Sequence, residues 1–198
     1  MAQALIRAAQ RGAGAIPVSV KIRMGYDRDE LETWLPALLD MQPAAITLHA
    51  RTRQENSEVP AHWDAAARAV RMRQAVGSST LLIGNGDVQH IDEARTRAAI
   101  TGADGVMLGR AIFGNPWLFH PSITRDALPA VERLRVLTEY TQLFEVLLGE
   151  VKSMDRMKKH YKAYLTGIEG ADVLLPQLMA SHSAAEVKTI IERAVLDR

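Results

Sequence analysis

Short, β-branched apolar runs alternate with helix-spaced segments from Pro17 to about Phe119, and that alternation limits the fold more than any other feature. "PVSVKIR" is a compact apolar run that reads as a buried strand. "DELETWLPALLDMQ" follows with helical spacing and acids in its first turn. The same pair recurs as "AAITLHAR" with "WDAAARAVRMRQAV", as "TLLIGNGD" with "QHIDEARTRAAITG", and as "DGVMLGR" with the short "AIFGNPWLF". A strand and a helix every roughly 25 to 30 residues are the mark of parallel βαβ units. The repeat is one of supersecondary structure and not of sequence. The fold class predicted is α/β.

From about Pro129 the strands stop. "PAVERLRVLTEYTQLFEVLLGE", "KSMDRMKKHYKAYLTG" and "SAAEVKTIIERAVLDR" carry apolar residues at helical spacing, and Gly149, Gly167 and Gly170 fall where helices can end. The predicted organisation is an α/β part over 1–125 and a small all-helical part over 126–198, joined through "HPSITRDALP".

A chain of 198 residues is long enough for one domain, or one domain with an appendage. A formal charge of +1 points to no polyanionic partner, so binding of nucleic acid would need a local patch. The sequence holds no cysteine, which removes disulfides, thiolate metal sites and cysteine nucleophiles. Its six histidines form no ligand-spaced pairs. No run is apolar enough to span a bilayer and no signal-peptide core is visible, so a cytoplasmic location is expected.

Ligands of parallel α/β proteins bind at the carboxyl ends of the strands. The four predicted strands end in Lys21-Ile22-Arg23, His49-Ala50-Arg51, Asn85-Gly86-Asp87 and Gly109-Arg110. Lys21 on an apolar strand needs an anionic or acceptor partner, unless it lies at the strand's exposed end. His49 fits a ligand contact or a structural histidine bonded to backbone. Asn85 offers a donor and an acceptor, and Gly86 lets backbone approach a ligand closely; the alternative is a turn before the next helix. Gly109 and Arg110 before a helix suit a phosphate, unless Arg110 pairs with a nearby acid. Together these residues suit a ligand with a phosphate at one end and a polar ring at the other. Flavin mononucleotide and a sugar phosphate both meet that description.

Read in order, "PVSVKIRMGYD", "ITLHARTRQ", "LIGNGDV" and "DGVMLGRAIFGNPWLF" closely resemble the tRNA-dihydrouridine synthases, and "MKKHYKAYLTGIEGADVLLPQLM" resembles that family's helical domain. The resemblance runs from about Pro17 to the end of the chain. It implies the second half of an FMN-binding (β/α)8 TIM barrel followed by a helical domain that grips tRNA. Lys21 and His49 are then expected at the flavin ring, and Asn85, Gly86 and Asp87 along the ribityl and phosphate side. Gly109 and Arg110 are expected at the phosphate. Arg51 and Arg53 would face the substrate or shape the pocket, and Trp63 would pack the loop. Lys152, Arg156, Lys158, Lys159 and Lys162, otherwise readable as a solvated helix face, would meet tRNA phosphates. The implied reaction reduces the uracil C5=C6 bond, with hydride from reduced flavin and NADPH as the reductant.

The sequence departs from the family pattern in places. Only the later strand motifs are present, and the family's acidic cysteine is absent, so no catalytic residue is assigned here. The expectation is an N-terminally truncated chain, whose barrel is completed by a missing half or a second copy. Ser57 and Val59 stand in a loop where the family often carries Tyr and Gly. Two other readings fit the same residues: a different FMN- or phosphate-binding (β/α) barrel enzyme, and a non-catalytic RNA-binding remnant.

Overall fold

The computed structural model describes residues 1–196; Asp197 and Arg198, at the end of the last expected helix, lie outside the described residues. Two compact units form, Met1–Arg110 and Ala111–Arg198.

The first unit is built on a four-stranded parallel sheet in the order β1 (Ser19–Arg23), β2 (Ala45–His49), β3 (Leu81–Asn85), β4 (Gly105–Met107). Helix α1 (Ala2–Ala13) precedes it, and α2 (Leu31–Leu39), α3 (Trp63–Ala75) and α4 (Ile91–Thr101) connect the strands. Parallel neighbours need such crossovers. Each of the four expected strands is present, with its ends trimmed by a few residues. The fourth expected helix is not: "AIFGNPWLF" contributes only a 3-10 turn at Arg110–Ile112. Gly114 at φ 69° and Pro116 after it prevent a longer helix.

Alternation along the strands sorts the sheet into two faces. Ile22, Ile46, Leu48 and Leu82 point to one side and pack on Leu31, Leu35 and Leu38 of α2 and Ala65, Ala69 and Val70 of α3. The intervening residues fall on the other side in register, Lys21 beside Thr47 beside Ile83, and Arg23 beside His49 beside Asn85. Lys21, Leu81 and Met107 are exposed there. A sheet with an apolar face under helices and a mixed face of this kind is consistent with part of a (β/α) barrel.

Trp63 opens α3 and is buried with Ala66, Val88 and Ala94. Its Nε1–H donates to the Gly86 carbonyl at 3.1 Å, and the Arg97 guanidinium stacks on its ring. A Cβ on Gly84 would come within 2.5 Å of that ring. Gly84 therefore makes room for a tryptophan and not for a ligand, the core role expected of Trp63.

In the second unit, α5 (Ala130–Leu148), α6 (Asp155–Leu165), α7 (Ala171–Ala180) and α8 (Ala184–Leu196) surround Leu134, Leu137, Met157, Tyr161, Leu178 and Val187. Helix α7 was not among the three expected, because Pro176 interrupts its pattern; the chain carries that proline inside the helix. Arg133, almost fully buried on α5, donates from Nη2 to the carbonyls of Tyr164 and Thr166. A guanidinium there satisfies acceptors that the end of α6 leaves open. The join expected at 125/126 falls later than the division at Arg110. Residues 111–116 associate with α6: Phe113 meets His160 edge-on, and Gly114 lies against the backbone of Ala163 and Tyr164.

Candidate functional site at the strand ends

Parallel register brings the last residues of the strands into one row, Arg23, His49, Asn85 and Met107. Above it lies a cavity of about 310 Å³, walled by Arg23, His49, Arg51, Asn85, Gly86, Asp87, Gly109 and Arg110. Seven of the expected residues thus meet at one place although they come from three different strand–helix connections. Lys21 and Arg53 do not line it; they border a second cavity of about 460 Å³ with Tyr26, Glu30 and Trp34. Arg23 belongs to both. It was legible as a strand end, yet only register shows it beside His49.

Asp87 is the electrostatic centre of the cavity. Its Oδ2 accepts from Arg51 Nη2 at 2.6 Å and from the Ala61 N–H at 2.9 Å, and its Oδ1 accepts from Arg110 Nη2 at 2.9 Å. Burial would raise the Asp87 carboxyl, but these bonds and the charges of Arg51 and Arg110 hold it below the usual carboxylate range. Asp87 adopts φ 59°, a left-handed conformation that Asp tolerates better than most residues. Gly86 before it has φ 138°, and a Cβ there would strike Ala61. The "NGD" turn thus bends the chain tightly so that one carboxylate reaches two arginines.

Arg51 is buried, its side chain 3% exposed. Nε donates to the Val59 carbonyl at 2.6 Å, and Nη1 lies 3.3 Å from His49 Nε2. Arg51 is thus held in the cavity wall. A guanidinium only donates, so His49 Nε2 accepts and Nδ1 carries the ring proton. Burial, and then the charges of Arg23, Lys21 and Arg51, push His49 down to about 4, with Asp87 opposing. A neutral imidazole of this kind offers a hydrogen bond and no readily lost proton. Lys21 is also lowered, by burial and then by Arg23.

Arg110 has a side chain 55% exposed and follows Gly109, where a Cβ would meet open space. The three-residue turn that Arg110 opens supplies no helix dipole of note, and Arg110 Nη2 already pairs with Asp87, the acid pairing that the sequence left open, so a phosphate would meet only the remaining guanidinium N–H groups and the open backbone. Asn85 donates from Nδ2 to the Met107 carbonyl at 2.8 Å, which fixes its side chain across the β3–β4 edge. The loop over the cavity is held by Glu55, which accepts from the Thr52 N–H at 2.7 Å and lies 2.7 Å from His62 Nε2. Sequence reading gave Glu55, Asn56 and Gln89 no part in the site; they reach the cavity because their loops fold over the strand ends.

The family model for dihydrouridine synthase matches residues 1–198. The chain belongs to the dihydrouridine synthase family. Among the family's curated members, a probable tRNA-dihydrouridine synthase of Staphylococcus epidermidis is 36% identical over 182 residues, covering 91% of this chain and 55% of its own length. One from Staphylococcus aureus is 35% identical over the same shares. Probable tRNA-dihydrouridine synthase 2 of Bacillus subtilis is 37% identical over 202 residues, covering the whole chain and 61% of its own length. The chain therefore spans a little over half the length of the curated relatives it matches.

The cavity's donor set fits the flavin nucleotide that the resemblance implies. Arg110 and the open backbone at Gly109 suit a phosphate, and the Nδ1–H of His49 suits an acceptor on a polar ring. Among the described residues no cluster of His, Asp or Glu is arranged to hold a metal ion.

Proposed function

We propose that this chain forms the flavin-binding second half of a (β/α)8 barrel that reduces uridine to dihydrouridine in tRNA, with NADPH as the reductant. The observation that carries this is the convergence of Arg23, His49, Asn85–Asp87 and Gly109–Arg110 on one cavity at the strand ends of a dihydrouridine synthase family member. Gly109 and Arg110 would hold the FMN phosphate, Asn85 to Asp87 the ribityl side, and His49 the ring; Lys21, in the adjoining cavity that shares Arg23, would reach the ring only if the flavin extends there. Bound there, the flavin would supply hydride, which no side chain can. Arg51 and Asp87 fix the tautomer of His49 and the rim of the cavity. Further strands, from another polypeptide segment or a second copy, would cover the face that carries Lys21, Leu81 and Met107. Arg53 and the cations Lys152, Arg156, Lys158, Lys159 and Lys162 would contact tRNA in the cytoplasm. No helix among the described residues is long and apolar enough to cross a membrane.

Titrating the 198-residue chain with FMN and following flavin fluorescence tests the cofactor half of this reading. Saturable quenching is expected. Arg110→Ala should weaken it about tenfold, the scale of one charge-assisted hydrogen bond. Unchanged binding in that variant would remove the phosphate assignment.

A further inference from the structure

A cavity of about 390 Å³ lies wholly within the unit 111–198. Phe113, Tyr140, His160 and Tyr164 supply its rings. His160 stands edge-on to both Phe113, centroids 5.0 Å apart, and Tyr140, centroids 5.2 Å apart. Its polar groups are already partnered, Glu139 with Arg135 and the Tyr140 hydroxyl with His160 Nε2 at 3.4 Å, and the lining is otherwise apolar. Phe113 and Leu143 are exposed, so water reaches large apolar surface here, an arrangement that marks a binding surface more often than a core.

The neighbouring charge narrows the occupant. Lys159 Nζ lies 5.4 Å from the Phe113 ring centroid. On the same helix Met157, Tyr161, Tyr164 and Leu165 are buried, while Arg156, Lys159 and Lys162 are exposed. Lys158 is paired with Asp155 at 2.6 Å, leaving the other three as the cations of that face. A ring-lined cavity beside exposed cations matches a planar ring carrying a phosphate.

We propose that this cavity takes one unstacked nucleobase of a bound RNA, with the adjoining phosphate on Lys159. Stacking on aromatic rings with backbone cations alongside is how proteins hold single-stranded nucleic acid. The inference rests on the reading that RNA is the partner.

Fluorescence anisotropy with the full chain tests it, using a labelled oligouridylate, a blunt RNA duplex of equal length and a tRNA transcript. The single strand should bind about tenfold more tightly than the duplex, the scale of one stacked base. Phe113→Ala should abolish that preference and leave duplex affinity unchanged. Phe113→Leu, which keeps apolar volume, should do the same, while Lys159→Gln should weaken both. Equal binding of strand and duplex, or a preference that survives both Phe113 variants, overturns the proposal. So does uridine monophosphate alone displacing the strand at comparable affinity, because the cavity would then serve a free nucleotide. If the tRNA still binds in those cases, only the cavity assignment falls. If no RNA binds at all, the partner reading falls with it.

Discussion

His49 and Asp87 show how much of this site is decided residue by residue. The folded protein holds His49 at about 4, below its ordinary 6.5. A histidine lowered in this way disfavours folding as it gains a proton, so stability rises with pH between about 4 and 6.5 and is flat for this group outside that window. The melting temperature of the chain should fall across that range on acidification, and His49→Gln should flatten the fall. The carboxylates held low, among them Asp87 and Glu55, lose their stabilising charge only further down the pH scale. Asp87→Asn keeps the tolerance for φ 59° but removes the charge that faces Arg51. A buried guanidinium left without its partner costs about 2–4 kcal/mol, reduced toward the lower end because Asp87 is one-third exposed. Denaturant unfolding measures that loss, and Arg110 should become more mobile at the rim.

The elements are positioned by contacts that local pattern does not reveal. Gly84 invites the reading that backbone approaches a ligand, but the Trp63 ring from the start of α3 occupies that space. Gly84→Ala should destabilise the first unit by about 1–3 kcal/mol through overpacking, which thermal melting would register. If the cavity holds the proposed flavin, the same change should also weaken its binding, because Trp63 holds the Gly86 carbonyl and hence the turn that carries Asp87. The strands themselves were legible because β-branched runs bounded by polar turns admit few other structures. Helix α7 was not, since a proline inside a short segment argues against a helix until tertiary packing of Leu174 and Leu178 compensates.

At the scale of the whole molecule, each unit has its own core, one under the sheet and one among α5 to α8. The near-zero net charge hides an exposed cationic face on α6, formed by Arg156, Lys159 and Lys162. If that face meets tRNA phosphates, replacing Arg156 and Lys162 together with Gln should make the salt dependence of tRNA binding shallower, by about one unit of log–log slope per lost contact or slightly less. Filter binding over a salt series reads that slope directly; an unchanged slope would place the phosphates elsewhere.

Sequence alone determined the α/β class, the places where strands end and several of the residues that gather there, because hydrophobic periodicity and turn chemistry are local properties; Lys21, Glu55, Asn56 and Gln89 show where it did not reach. It also carried the family, through motifs whose order survives without coordinates. Tertiary structure decided what those residues do to one another. Strand register put Arg23 beside His49, and the turn at Gly86 carried Asp87 to Arg51 and Arg110. Packing of Trp63 claimed Gly84, and packing on α6 moved residues 111–116 into the helical unit. Those outcomes depend on which residues come within a few ångströms across the fold, and spacing along a single chain does not encode that distance.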